Sequence, residues 1–197
     1  MSTASPYRLY SRGLIGLALR DKVWIIRQIA DALACIHSRH ICHHEIKPDN
    51  ILILPDLTIK PMDFGIARFP GSELTQAILA MGTPAYIAPE GFVTGKADQQ
   101  ADLFSLGSVA YKLFIGQLPF TGESQVNFGN AIQFEKPYSP RRLNPEFPAA
   151  LENLPAKLLK KRPGKRYASG LVLVEGLDLC LAGDLAHLSP FRGYQIC

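Results

Sequence analysis

The chain has 197 residues, of which 47% are hydrophobic and 19% charged, with a formal net charge of +4. That length suits one domain with a real core, and the composition excludes a disordered chain. So mild a charge does not point to nucleic acid by itself, and no apolar run reaches the ~18 residues of a membrane span.

Residues 1–20 show no clear periodicity, and Ser2, Thr3, Ser5 and Pro6 suggest a loose start without the basic-then-apolar order of a signal peptide. From Asp21 to Arg39, Val23, Ile26, Ala30, Leu33 and His37 recur at steps of three and four, predicting a helix with one buried face and Asp21 as its N-cap. His37 on that face reads as a hydrogen-bonded core histidine rather than a ligand. Next comes the stretch His43-His44-Glu45-Ile46-Lys47-Pro48-Asp49-Asn50, and thirteen residues after Asn50 comes Asp63-Phe64-Gly65. Glu45, Lys47, Asn50 and Asp63 supply two carboxylates, an ammonium and an amide. Such a set can grip a divalent metal and a phosphate beside a proton acceptor, since magnesium takes hard oxygen ligands and lysine is a compact charge for a transferring phosphoryl group. Between the two motifs, Ile51 to Leu54 and Leu57 to Lys60 read as the arms of a hairpin turning at Pro55-Asp56. Pro61 cannot donate to a ladder, so its strand belongs at an edge or ends early. For Asp63 the plain alternative is a turn-forming residue before a glycine.

The order His43-His44-Glu45-x-Lys47-x-x-Asn50, then Asp63-Phe64-Gly65, then Ala88-Pro89-Glu90 resembles the protein kinases, in the serine/threonine branch and similar to bacterial examples. The resemblance runs from about Asp21 to about Leu181. It departs at two positions: His44 stands where the family has arginine, and Glu45 where it has the catalytic aspartate. It implies that Glu45 orients or deprotonates the acceptor hydroxyl, that Lys47 neutralises phosphate charge, that Asn50 and Asp63 hold magnesium, and that His43 gives structural support. ATP and Mg2+ are the implied cofactors. Gly82-Thr83-Pro84-x-Tyr86 resembles the substrate platform, with Thr83 beside the catalytic acid and lysine, and Thr83 with Lys47 favours Ser/Thr acceptors. Ser72 and Thr75 lie in a stretch resembling the activation segment, where a plain solvated loop is the alternative. His44 lacks the planar fork of arginine, so it is expected to clamp an activation-loop phosphate weakly or only to fill space.

Asp98 to Ile115 predicts a second helix, with Leu103, Leu106, Ala110, Leu113 and Phe114 as its buried stripe, Gly107 permitting close packing, and Gly116 as its stop. The resemblance implies that Asp102 accepts hydrogen bonds from the catalytic-loop backbone; the alternative is an acid favoured by the helix dipole. Residues 121–147 carry one short helix's worth of signal, and Ala149 to Leu159 and Ala168 to Leu181 predict two more. In the run from Leu158 to Arg166 the resemblance implies that Arg166 pairs with Glu90; the rival is a basic patch for nucleic acid or membrane, against which no aromatic residues interleave. The four cysteines, Cys35, Cys42, Cys180 and Cys197, form no C-x-x-C pair, so reduced thiols in a cytoplasmic protein are the simpler reading.

The expectation is a mainly α kinase-like C-terminal lobe over 21–182, a helical bundle with a small β-hairpin, preceded by an N-terminal segment over 1–20 and followed by a tail over 183–197. Gly13 and Gly16 form no G-x-G-x-x-G loop and no V-A-I-K-like strand occurs, so the family's N-terminal β lobe has no counterpart in this sequence. Weak ATP binding and no measurable activity are therefore expected of residues 1–197 alone. A protein substrate or docking partner is expected, with neither nucleic acid nor membrane. The alternative to a Ser/Thr kinase lobe is a pseudokinase or truncated fragment that binds proteins without catalysis.

Overall fold

The apolar stripe of the first helix organises the fold. In the computed structural model, which describes residues 7, 8, 16–61, 84–94, 98–183 and 185, α1 spans Leu19–His37 and buries Val23, Ile25, Ile26, Ile29, Ala30, Leu33 and His37. It starts two residues earlier than the periodicity predicts. Ala18 is the N-cap and makes no side-chain bond, while Asp21 sits in the first turn. The first turn is anchored from outside instead: the Arg20 guanidinium donates to the carbonyls of Leu181 and Leu185 at 3.2 and 2.7 Å. These bonds pin the first turn to a distant part of the chain without capping it, because a guanidinium donates and the helix's first N–H groups need acceptors.

A chain reversal after His37 leads to the loop that holds the conspicuous motif, and a 3-10 turn over Pro48–Asn50 closes it. Strands β2, Ile51–Ile53, and β3, Ile59–Pro61, then form the hairpin. Ile51 pairs with Pro61 and Ile53 with Ile59. Pro61 lies on an edge strand, where its missing N–H costs the sheet nothing. The other edge is β1, Tyr7–Arg8, antiparallel to β2 with Tyr7 opposite Ile53. Two residues are too short to show a period, so the stretch read as loose contains a strand that only β2 reveals.

After α2, Pro89–Thr94, comes α3, Gln99–Ile115, buried almost all round. The Asp98 carboxylate caps it by accepting from the Gln100 N–H at 2.8 Å. Gly116 ends it in the left-handed region at φ 88°, where glycine carries no Cβ penalty. Two helices occupy the stretch where one was expected: α4, Gln125–Phe134, capped by Ser124, and the single turn α5, Pro140–Leu143. Then follow α6, Ala149–Leu158, and α7, Gly170–Ala182, capped by Ser169. Helix α1 packs against α3 on one side and α7 on the other, and α6 packs against α3. The main core gathers α1, α3, α6 and α7 with Ile51 and Ile53 of the sheet. A second cluster, with Phe104, Tyr111, Phe120, Ile132 and Leu159, fills the space between α3 and α4. Leu185 is buried and its carbonyl receives Arg20, so packing continues past residue 183. Cys35, Cys42 and Cys180 form no disulfide, and no helix among the described residues is long and apolar enough to cross a membrane.

Candidate active site

The loop from His43 to Asn50 hangs from one buried carboxylate. Asp102, 1% exposed on α3, accepts the backbone N–H of His43 on Oδ2 and that of His44 on Oδ1, each at 2.8 Å. Its Oδ2 also meets Nε2 of His37 at 2.8 Å, so the core histidine of α1 is hydrogen-bonded to the same group. Two successive N–H groups closing on one anion form a small backbone nest. His44 itself lies in the left-handed region, at φ 65°. Placing a residue other than glycine there costs about 1–2 kcal/mol. His44 thus turns the chain, and the string of motif letters gives no sign of that.

His43 is 2% exposed. Burial pushes its imidazole below the usual histidine pKa, against the opposing pull of Asp102, which favours the neutral ring. Its Nδ1 accepts the Glu45 N–H at 3.4 Å. Cys42, just before the loop, is fully buried, and burial followed by Asp102 and Asp98 pushes its thiol up to about 12. It is a packing group, not a nucleophile.

Glu45, Lys47 and Asn50 come together. Lys47 Nζ lies 3.5 Å from Glu45 Oε2. Asn50, buried at the end of the 3-10 turn, donates from Nδ2 to the Glu45 carbonyl at 3.1 Å and to Glu45 Oε2 at 3.2 Å. Both amide hydrogens are thereby used, and Oδ1 remains as a hard oxygen donor of the kind magnesium takes. The residues present fit a divalent ion to that extent. Its other expected ligand, Asp63, lies outside the described residues, as do Ser72, Thr75 and Thr83. Behind the loop, between α1 and the hairpin, an apolar recess is lined by Ile29, Leu33, Ile36, Ile46, Ile51 and Ile59, with His43, Glu45 and Asn50 on its border.

Arg166 and Glu90 meet across the lobe. The guanidinium uses all five of its N–H donors: two to the Glu90 carboxylate at 2.6 and 2.8 Å, and one each to the carbonyls of Gln100, Lys160 and Lys161 at 2.7, 2.8 and 3.2 Å. The Arg166 side chain is fully buried and that of Glu90 is partly buried, at 18% exposure. Full donor satisfaction is what makes a buried charge tolerable. The basic run from Lys160 to Arg166 therefore does not point all of its charges at solvent.

Three supporting residues escaped the motif reading. Ser105 Oγ, in the buried stretch of α3, bonds the Tyr86 carbonyl at 2.6 Å and so fixes the 3-10 turn Pro84–Tyr86. A serine among apolar helix residues was the available signal, because a buried hydroxyl needs a partner. Gln99 Nε2 donates to the His37 carbonyl at 2.7 Å, holding the end of α1. Gln28 clips the hairpin, donating to the Leu57 carbonyl at 2.8 Å and accepting from the Ile59 N–H at 3.2 Å. It faces Leu57 at φ 65°, a conformation no sequence signal marks.

A sequence profile described as the protein kinase domain matches residues 8–175. The serine/threonine-protein kinase Pkn1 of Myxococcus xanthus is 37% identical over 172 residues, covering 84% of this chain and 25% of that protein. PrkC of Bacillus subtilis, also named a serine/threonine-protein kinase, is 39% identical over 150 residues, covering 75% of this chain and 23% of PrkC. PknL of Mycobacterium tuberculosis, of the same description, is 32% identical over 172 residues, covering 86% of this chain and 42% of PknL. The chain thus spans less than half the length of each of these relatives.

Proposed function

Because this chain belongs to the protein kinase domain family, we propose that it supplies the catalytic lobe for ATP-dependent phosphoryl transfer to serine or threonine side chains of a protein substrate. The observation that carries this reading is the convergence of Glu45, Lys47 and Asn50 in one loop braced by Asp102. Glu45 would orient the acceptor hydroxyl and take its proton, and Lys47 would balance the negative charge of the phosphoryl group in transfer. Asn50 Oδ1 and Asp63 would hold magnesium, which when bound neutralises phosphate charge and fixes its position. Thr83 would steady the acceptor side. His43, Asp102 and the Glu90–Arg166 pair would keep these groups in register, a supporting role in which small displacements matter. We place this activity in the cytoplasm.

A second reading has its own observation. The Glu45 carboxylate is already engaged by Asn50 on one side and Lys47 on the other. A pseudokinase or fragment that docks a partner without catalysis would show the same features.

The two readings part in a graft. Joined to an N-terminal kinase lobe, the chain should transfer phosphate slowly. Glutamate sets its carboxylate roughly an ångström from where aspartate would, and such misplacement costs on the order of 100-fold. Glu45→Asp in the graft should therefore raise the single-turnover rate about 10- to 1,000-fold, and Glu45→Ala should lower it. Equal rates for all three forms would leave Glu45 without a catalytic role and put the pseudokinase reading first.

A further inference from the structure

A buried side-chain amide can sit either way round, and its neighbours decide which. Asn50 is 6% exposed, and its Nδ2 faces two oxygens of the same residue: the Glu45 carbonyl at 3.1 Å and Glu45 Oε2 at 3.2 Å. Turning the amide over would put Oδ1 against both, losing two hydrogen bonds and setting oxygen against a carboxylate. With only the carbonyl in place the preference would rest on one bond. Lys47 Nζ, 3.5 Å from the same Oε2, holds the carboxylate in this position from the other side. The chain Lys47–Glu45–Asn50 therefore leaves one orientation in which Oδ1 faces away from Glu45.

We propose that Glu45 is the positioning residue for the Asn50 amide, fixing its oxygen as a divalent-metal donor. This rests on the reading of Asn50 as a metal ligand. It gives Glu45 a task separate from proton transfer, performed by the Oε2 that points at Nδ2, before any acceptor is present. The glutamate at this position then has a physical rationale: a side chain that serves the loop's own amide. Groups that orient a metal ligand from behind commonly govern metal affinity by about 10- to 100-fold.

The test uses the whole chain and Mn2+ as the probe, followed by nuclear magnetic resonance. Mn2+ should selectively broaden the Asn50 side-chain amide signals in the unmutated protein, and the titration gives an affinity. Glu45→Ala should weaken that affinity about 10-fold or more and speed hydrogen exchange of the Asn50 amide. Glu45→Gln keeps an acceptor oxygen without charge, and should hold both quantities within about 3-fold of the unmutated chain. The dispersion of the backbone spectrum establishes that each variant is folded. Unchanged Mn2+ affinity in Glu45→Ala would overturn the proposal. Equal losses in Glu45→Gln and Glu45→Ala would overturn it as well, because Glu45 would then act by charge or as a ligand itself. No broadening of Asn50 in the unmutated chain would overturn the metal-ligand reading, and this proposal with it.

Discussion

Asp102 braces the loop from His43 to Asn50 from outside it. One carboxylate takes the N–H groups of His43 and His44 and the Nε2 of His37, in a site that is 1% exposed. Asp102→Ala would strand two backbone donors and an imidazole away from water. Stranded buried donors cost about 1–3 kcal/mol each, so the variant should lose about 3 kcal/mol in urea unfolding. Against a typical domain stability of roughly 5–15 kcal/mol that is severe. Asp102→Asn keeps one acceptor oxygen but points an NH2 at a donor, and should recover only part of the loss. The position of Asp102 in the first turn of α3 left two roles open in the sequence, an acid favoured by the helix dipole or a brace for the loop. The observed bonds go to the loop.

At the scale of elements, the distance between helices is set where a side chain is missing. A Cβ on Gly107 would lie 2.7 Å from Cβ of Leu158 and 3.2 Å from atoms of Leu159, so α3 and the end of α6 touch nearly backbone to backbone. A Cβ on Gly170 would lie 2.7 Å from the Ala30 carbonyl, which places α7 equally close to α1. Alanine is a better helix former than glycine by about 1 kcal/mol. Overpacking a tight contact costs about 1–3 kcal/mol, and Leu158 Cβ cannot swing aside as a side-chain tip can. Gly107→Ala should therefore lower stability by about 1 kcal/mol net, measured by urea or thermal unfolding; a rise would mean that α6 shifts freely. The neighbouring Arg27–Asp178 pair between α1 and α7, with contacts of 2.7 and 3.1 Å, matters less, because Asp178 is half exposed and such pairs contribute about 0–1 kcal/mol.

Across the whole molecule, Lys161 ties three regions together. Its Nζ donates to the carbonyls of Ala131 and Ile132 near the end of α4, and lies 3.7 Å over the Phe120 ring. Phe120 stacks on Phe104 at 6.3 Å, and the Arg166 guanidinium covers Phe104 at 5.0 Å before reaching Glu90 of α2. Burial lowers the Lys161 ammonium from 10.5 to about 8, opposed by Glu135 and aided by Arg166. A lysine whose folded pKa lies below its unfolded one destabilises the fold while both states are charged. As pH rises past about 8 the folded state sheds the proton that the unfolded state keeps, and this penalty is relieved up to about 10.5. Cys42, pushed up to about 12, works the other way once unfolded thiols ionise, near 9. The clean measurement is a difference. The stability of the unmutated chain relative to Lys161→Met should increase between pH 7 and pH 10 in parallel urea titrations. A difference independent of pH would refute the lowered pKa.

The sequence by itself determined the helices that carry a period and the loop that carries the motifs. A buried face repeats in α1 because it must cover a core, the apolar run of α3 belongs to a helix buried almost all round, and the spacing of Glu45, Lys47 and Asn50 is short enough to be fixed by one loop. The fork of Arg166 on Glu90 was legible only through the family resemblance, since the two are 76 positions apart. Tertiary structure alone decided the rest. β1 exists because β2 offers it a partner, and α1 begins at Leu19 because Arg20 finds carbonyls near the far end of the chain. The His44 N–H is held inside the lobe because Asp102, 58 residues away, accepts it. In each case the deciding partner is distant in sequence, and a local pattern holds no record of a bond whose other half lies elsewhere in the chain.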